Sequence, residues 1–98
     1  MLFHITHYHH DENTCPAHDQ EAADATFGAV LESLEANVDQ VIGAWVDPPG
    51  HDFFFVVEAD DSKKIFAGLW PIIPAGTAQI RPVTSLKEVM ETAEALRS

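Results

Sequence analysis

The chain has 98 residues, of which 46% are hydrophobic, and it carries sixteen acidic against five basic side chains, a formal net charge of −11. This length suits one domain with its own core, and we expect residues 1–98 to form it. A field this negative repels phosphate backbones and anionic membranes, so we expect neither nucleic acid nor a membrane as a partner. The single cysteine excludes an internal disulfide and is typical of a reducing compartment, so we expect a cytoplasmic protein.

The first predicted elements are a strand and a long helix. The strand covers Leu2 to about His9, and its alternate residues face opposite sides, with Phe3, Ile5, His7 and His9 on one side. Pro16 suits the first turn of a helix that continues to about residue 37. Its apolar residues recur every three or four positions, which predicts a buried stripe. The stripe consists of Ala23, Phe27, Val30, Leu34 and Val38.

The second half of the chain predicts strands and two shorter helices. Strands are predicted over residues 40–46, 52–58 and 77–83. A short helix begins after Asp61 and is expected to end at Pro71 and Pro74. Ser85 and Glu88 fit a capping box for a C-terminal helix. The resulting order, β-α-β-β-α-β plus a helix, predicts an α+β domain of the ferredoxin-like type.

The strand over residues 52–58 is apolar on both sides. Phe53, Phe55 and Val57 face one side, and Phe54 and Val56 face the other. Helices cover one face of such a sheet, and the chain has no further element for the second face. We therefore expect a homodimer in which one sheet packs against the other.

Three short motifs resemble the dimeric α+β barrel superfamily, in particular its small, uncharacterised single-domain bacterial members. They are Met1-Leu2-Phe3, Ala44-Trp45-Val46-Asp47 on the second strand, and Pro82-Val83-Thr84-Ser85 at the exit of the last strand. The resemblance spans nearly the whole chain and implies a dimeric α+β barrel. Because the superfamily includes haem-degrading monooxygenases, cofactor-free oxygenases, isomerases and cyclases, it implies no single activity, and no catalytic residue is transferred.

The candidate site lies near the start of the chain, where five of the six histidines and the only cysteine fall within eighteen residues. Imidazole and thiolate are common ligands of zinc, copper, nickel and iron. His7 and His9 share one side of the first strand, and Cys15 and His18 lie one helical turn apart. We expect these four side chains to bind one transition-metal ion, with zinc the first candidate and copper, nickel or iron the next.

The other three histidines remain outside this predicted set. His4 faces the opposite side of the strand, where a hydrogen-bonding role at the barrel interior or dimer interface is expected. His10 is expected to be solvated, and His51, next to Gly50, is expected to lie at a loop tip. The ferredoxin-like topology places both at the same edge of the domain as the four predicted ligands.

The predicted function is therefore that of a metal-binding homodimer, either a metal-dependent enzyme or a metal carrier. One alternative is a cofactor-free or haem-binding monooxygenase or isomerase that takes a small apolar molecule, with His7 or His9 as a base or axial ligand. The other is a non-enzymatic homodimeric module whose histidines respond to pH.

Overall fold

A computed structural model describes residues 1–9 and 20–98, without the side chains of Gln20 and Ala22. The strands are β1 (Leu2–His9), β2 (Gln40–Asp47), β3 (Asp52–Glu58) and β4 (Gly76–Val83). The helices are α1 (Gln20–Asn37), α2 (Ser62–Gly68) and α3 (Leu86–Arg97), and a 3-10 helix covers Trp70–Ala75. Each strand ends within one residue of its predicted bounds, because alternating apolar residues and turn residues define strands locally.

The four strands form one open antiparallel sheet in the order β2-β3-β1-β4. β1 is central, between β3 and β4, and β2 and β4 are the two edge strands. The C-terminal end of β1 lies beside the start of β3, where Tyr8 pairs with Asp52. It also lies beside the start of β4, where His9 pairs with Gly76. The predicted α+β class is confirmed.

The core lies between one face of the sheet and the layer formed by α1, α2 and the 3-10 helix. Phe3 and Ile5 of β1 are buried on this face, as their alternation predicts. The predicted stripe of α1 supplies Val30, Leu34 and Val38, which are all buried. Burial of each such side chain contributes about 1.5–3 kcal/mol before the entropy cost of ordering it.

Gly68 sets the distance between α1 and α2. A Cβ atom at this position would lie 2.8 Å from Cδ2 of Leu34 and 3.0 Å from its Cα. Since the Cα belongs to the backbone of a packed helix, α2 would have to move to admit a side chain. The N-terminus of α2 is capped as the sequence predicts, because the Asp61 carboxylate accepts a hydrogen bond from the Lys63 amide at 2.8 Å.

The segment after α2 differs from its prediction. Pro71 and Pro74 do not end the helical path; both lie within the 3-10 helix, and α2 ends earlier, at Gly68. Pro71 lies in the first turn, where it sacrifices no hydrogen bond because the amides there have no partner within the helix, whereas Pro74 lies inside the helix. The 3-10 helix buries Ile72 against the core.

The described residues leave two apolar surfaces uncovered. The second face of the sheet presents Phe54 and Val56, both half-buried, and Trp45, whose surface is 57% exposed. α3, whose N-terminus is capped by the Ser85 hydroxyl, has no buried residue. The radius of gyration is 15.7 Å, whereas a compact domain of this length has about 13 Å.

Within the described residues, no helix is long and apolar enough to cross a membrane.

Candidate functional site

The end of β1 buries two imidazoles. His7 has 0% of its surface exposed and His9 has 4%, and both lie on the helix-covered face of the sheet together with Phe3 and Ile5. Their shared orientation was predicted from the alternation of the strand and is confirmed. Polar side chains are rarely buried to this degree unless a hydrogen bond or a ligand compensates the loss of water.

The ring of His7 is held by the 3-10 helix. Its Nε2 lies 2.8 Å from the carbonyl oxygen of Ile72, so Nε2 carries the proton and donates. In the neutral imidazole this places the lone pair on Nδ1. A histidine that donates one ring N–H to a backbone carbonyl has the tautomer and orientation that metal-ligating histidines adopt.

The ring of His9 is enclosed by three other rings. The centroids of Phe27, Phe53 and His51 lie 5.0, 5.1 and 4.9 Å from the His9 centroid. Its Nδ1 is buried and makes no hydrogen bond to any described residue. A buried polar atom without a hydrogen-bond partner costs about 1–3 kcal/mol.

His51 lies in the turn between β2 and β3, as expected, and it belongs to the same cluster. Its backbone has a φ of 59°, in the left-handed region that side chains other than glycine rarely adopt. Two hydrogen bonds hold it there: the His9 amide donates to the His51 carbonyl at 2.9 Å, and the His51 amide donates to the Pro48 carbonyl at 3.3 Å. Its Nδ1 is buried and, within the described residues, also has no hydrogen-bond partner.

Gly76 allows β4 to pair with this end of β1. A Cβ atom there would overlap the backbone carbonyl of Tyr8, so no larger residue fits without separating the strands. The close approach brings the start of β4 alongside His9. The histidine cluster, which we define as His7, His9 and His51, is therefore bounded by backbone on both sides of β1.

The cluster keeps His9 uncharged. Burial is the main reason that the pKa of His9 lies below its ordinary value of 6.5. Positive charge on His51 and then on His7 would lower this pKa further, while the Asp52 carboxylate acts in the opposite direction. At neutral pH the imidazole of His9 therefore presents a lone pair, which metal binding and proton abstraction both require.

The structure assembles only part of the predicted metal set. His7 and His9 are adjacent, whereas Cys15 and His18, and also His10, lie outside the described residues. Within residues 1–9 and 20–98, no three histidine, cysteine, aspartate or glutamate side chains are grouped so that they could hold one metal ion. His4 is on the uncovered face, with its ring centroid 6.4 Å from that of Phe54.

An apolar cleft adjoins the histidine cluster. We call it the α1–β2 cleft; its volume is about 230 Å³. It is lined by Phe27, Val30, Leu31, Ala44, Trp45, Val46, Phe53 and Phe55. Phe27 and Phe53 line the cleft and also pack against the ring of His9. The cleft and the cluster are therefore separated by no more than these two rings.

Comparison with known proteins identifies a family. Residues 1–97 match a family described as a domain of unknown function, DUF3303, and the chain belongs to it. No curated protein matches the chain. Among solved structures, the chain is similar to the X-ray crystal structure of protein Atu4242 from Agrobacterium tumefaciens, with 10% identity, a TM-score of 0.48, and coverage of 88% of this chain and 96% of that one.

Proposed function

We propose that this member of the DUF3303 family binds one transition-metal ion per chain, with zinc the first candidate, at the end of β1. The observation that carries the proposal is the contact between the buried His9 and the half-buried His51, whose Nδ1 atoms are both buried and have no hydrogen-bond partner among the described residues. Their ring centroids are 4.9 Å apart. Two neighbouring imidazoles can bind the same ion, and binding would compensate the burial of both nitrogens.

The remaining ligands are proposed from the sequence. His7, His9, Cys15 and His18 remain the predicted set, and three nitrogens with one sulfur suit tetrahedral zinc, with copper, nickel or iron as other possible ions. The contact between the His9 and His51 rings supports His51 as an alternative to His7, because no three such side chains of the described residues are grouped around one ion. If a coordination position stays open to water, the ion can activate that water; if protein ligands fill every position, the site is structural.

Metal content of untagged protein tests the proposal. Protein expressed without a histidine tag in metal-replete medium should contain about one equivalent of a transition metal by elemental analysis. His9→Ala should lose the metal, and His4→Ala, which alters the opposite face of the same strand, should keep it. Wild-type protein that carries less than about a tenth of an equivalent, and binds none of the added Zn²⁺, Cu²⁺ or Ni²⁺ on titration, would refute the proposal.

Cobalt substitution identifies the ligands. Co²⁺ bound by Cys15 should give a thiolate-to-metal charge-transfer band that Cys15→Ser removes. The His51→Asn variant retains a residue that tolerates a left-handed backbone, so it isolates the imidazole from the turn. If His51 is a ligand, this variant should weaken metal binding while the circular dichroism spectrum is unchanged.

A second candidate is a cofactor-free or haem-binding monooxygenase or isomerase. The observation that favours it is that Phe27 and Phe53 connect the uncharged His9 with an apolar cleft large enough for a small apolar molecule. His9 would then serve as a general base or as an axial ligand. A visible absorption spectrum of the purified protein after incubation with haemin separates the haem case from the zinc case. A non-enzymatic homodimeric module is the third candidate, favoured if neither metal nor haem binds.

We also propose that the chain is a homodimer of ferredoxin-like domains. The strand order β2-β3-β1-β4, with a helix crossing after β1 and after β3, supports this topology. The uncovered sheet face, with Phe54 and Trp45, supports dimerisation through the sheet. Multi-angle light scattering should give twice the 10.8 kDa chain mass at micromolar concentration, and a stable monomer would refute the dimer.

A further inference from the structure

We propose that the uncovered sheet face packs on the same face of a second copy about a two-fold axis parallel to the strands, so that Arg81 of each chain stacks on the Trp45 indole of the other. The proposal rests on the homodimer proposed above and adds the orientation of the two chains and the contact that fixes it. It does not depend on whether the histidine cluster binds metal.

The Trp45 indole takes the place of a missing side chain on β2. Gly43 and Trp45 are two residues apart and pair with Val56 and Phe54 of β3, so both belong to the uncovered face. A Cβ atom at Gly43 would lie 2.7 Å from Cζ2 and 2.9 Å from Cζ3 of Trp45. The indole therefore lies over Gly43, and 57% of the surface of Trp45 is exposed.

Arg81 supplies the positive charge of this face. It pairs with His4 on β4, whereas the other four basic residues of the chain lie in α2 and α3. Its guanidinium donates a hydrogen bond to Oε1 of Gln79 at 2.6 Å, and no carboxylate among residues 1–9 and 20–98 forms an ion pair with it. Since arginine stacks on aromatic rings, and more strongly when water is excluded, an indole is a suitable partner for Arg81.

The register of the sheet places Arg81 and Gly43 in one row. Gly43 pairs with Val56, Val56 with His4, and His4 with Arg81. A two-fold axis parallel to the strands exchanges the two edges of the sheet and leaves each row opposite itself. With the axis through the middle of the sheet, β2 faces β4 of the second copy. Arg81 then lies opposite Gly43, where the Trp45 indole is.

Charge favours this axis over one that runs across the strands. An axis across the strands reverses the order of the rows, so that Asp52 would face Glu58 of the second copy, and like charges placed opposite one another are destabilising. With the axis parallel to the strands, Asp52 faces Tyr8 and Glu58 faces Leu2, because these residues share rows. The proposed axis therefore opposes no two carboxylates of β3.

Only a second copy brings the two groups together. Arg81 and Trp45 lie on β4 and β2, the two edges of the sheet. Three strand spacings, about 14 Å, separate these edges, which exceeds the length of an arginine side chain. A membrane is a poor alternative, because the carboxylates of Asp47, Asp52 and Glu58 are on the same face and anionic lipids would repel them.

Cross-linking tests the orientation directly. In a Cys15→Ser chain, one sample carries Asp47→Cys on β2 and a second carries Thr77→Cys on β4, which lie in the same row. After mixing, a thiol cross-linker with a reach of about 10 Å, the distance between packed sheets, should join the two different chains. An axis across the strands would instead join Asp47→Cys to Gln40→Cys, and that result overturns the proposal.

A double-mutant cycle tests the contact itself by analytical ultracentrifugation. Arg81→Gln should raise the dimer dissociation constant about 5- to 30-fold, the effect of a cation–π contact shielded from water. In a Trp45→Leu chain the same substitution should raise it less than about threefold. Lys87→Gln removes a cation from α3 and is the matched control, with less than about threefold in either chain. Equal effects of Arg81→Gln in both chains would overturn the contact.

The outcomes separate this proposal from the others. A wild-type monomer at about 100 μM overturns the homodimer and this arrangement together. A dimer that gives neither cross-link has another element on this face, and it overturns the arrangement while the homodimer stands. Metal content measured in the same samples reports on the histidine cluster independently, because none of the substituted residues belongs to that cluster.

Discussion

Without metal, the protein should lose stability as the pH falls below about 6.5, and His9 should be responsible. The unfolded chain keeps the ordinary His9 pKa of 6.5, whereas burial lowers the pKa in the folded state. Between these two values the unfolded state binds a proton that the folded state does not. The free energy of unfolding contributed by His9 is therefore fully present above pH 6.5 and is lost as the pH falls toward the folded pKa.

The size of the effect follows from the number of protons. One proton changes the free energy of unfolding by at most about 1.4 kcal/mol per pH unit. His9→Gln should remove this part of the slope. His51→Asn should reduce it, because burial, the largest cause of the low pKa, would remain, while the influence of His51, the second cause, would be gone.

Urea unfolding between pH 7.5 and 5.5 measures the slope, with a chelator present and tryptophan fluorescence as the signal. This range lies above the region in which most carboxylates titrate. His4→Gln, on the opposite face of β1, is the matched control and should retain the wild-type slope. If His9→Gln also retains the wild-type slope, the argument from the buried imidazole is wrong.

Three further predictions concern the site, the contact between α1 and α2, and the uncovered face of the sheet. His7→Leu should lower the free energy of unfolding by about 1–3 kcal/mol, because the Ile72 carbonyl loses its donor, and chemical denaturation compared with His4→Leu checks this. Gly68→Ala should cost about 1–3 kcal/mol through its collision with Leu34, whereas Gly28→Ala, which meets nothing closer than 3.9 Å, should stabilise α1 by up to about 1 kcal/mol; thermal melts of the two variants should shift in opposite directions. Phe54→Asp should give monomeric or insoluble protein by light scattering, because a charge buried in a sheet-to-sheet interface is costly; a soluble dimer of wild-type affinity would exclude that interface.

Much of the fold could be predicted because its signals are local. The alternation of Phe3, Ile5, His7 and His9 was enough to place both imidazoles on the covered side of β1. The bounds of β3, Asp52–Glu58, agree with prediction at both ends. Ser85 caps α3 as expected, and its hydroxyl accepts from the Glu88 amide at 3.1 Å. In each case a residue's neighbours in sequence determine its environment.

The rest of the site depends on contacts between distant residues. The predicted topology brings His51 to the same edge as His7 and His9, but no sequence pattern indicates the left-handed backbone that His51 adopts there. The hydrogen bond from His7 to Ile72 depends on a 3-10 helix that accommodates two prolines, and prolines normally predict the end of a helix. The predicted ligands Cys15 and His18 lie outside the described residues and remain predictions.

The low pKa of His9 also bears on the heat of ion binding. A nitrogen that is already unprotonated at neutral pH releases no proton to the buffer when an ion binds. Its contribution to the measured binding enthalpy is therefore the same in every buffer. Calorimetric titrations in two buffers at pH 7 would therefore be insensitive to His9, and any difference between them would point to another donor, such as the Cys15 thiol. Protons begin to compete with an ion for an exposed histidine near pH 6.5, whereas they compete for the His9 nitrogen only at lower pH, because burial lowers its pKa.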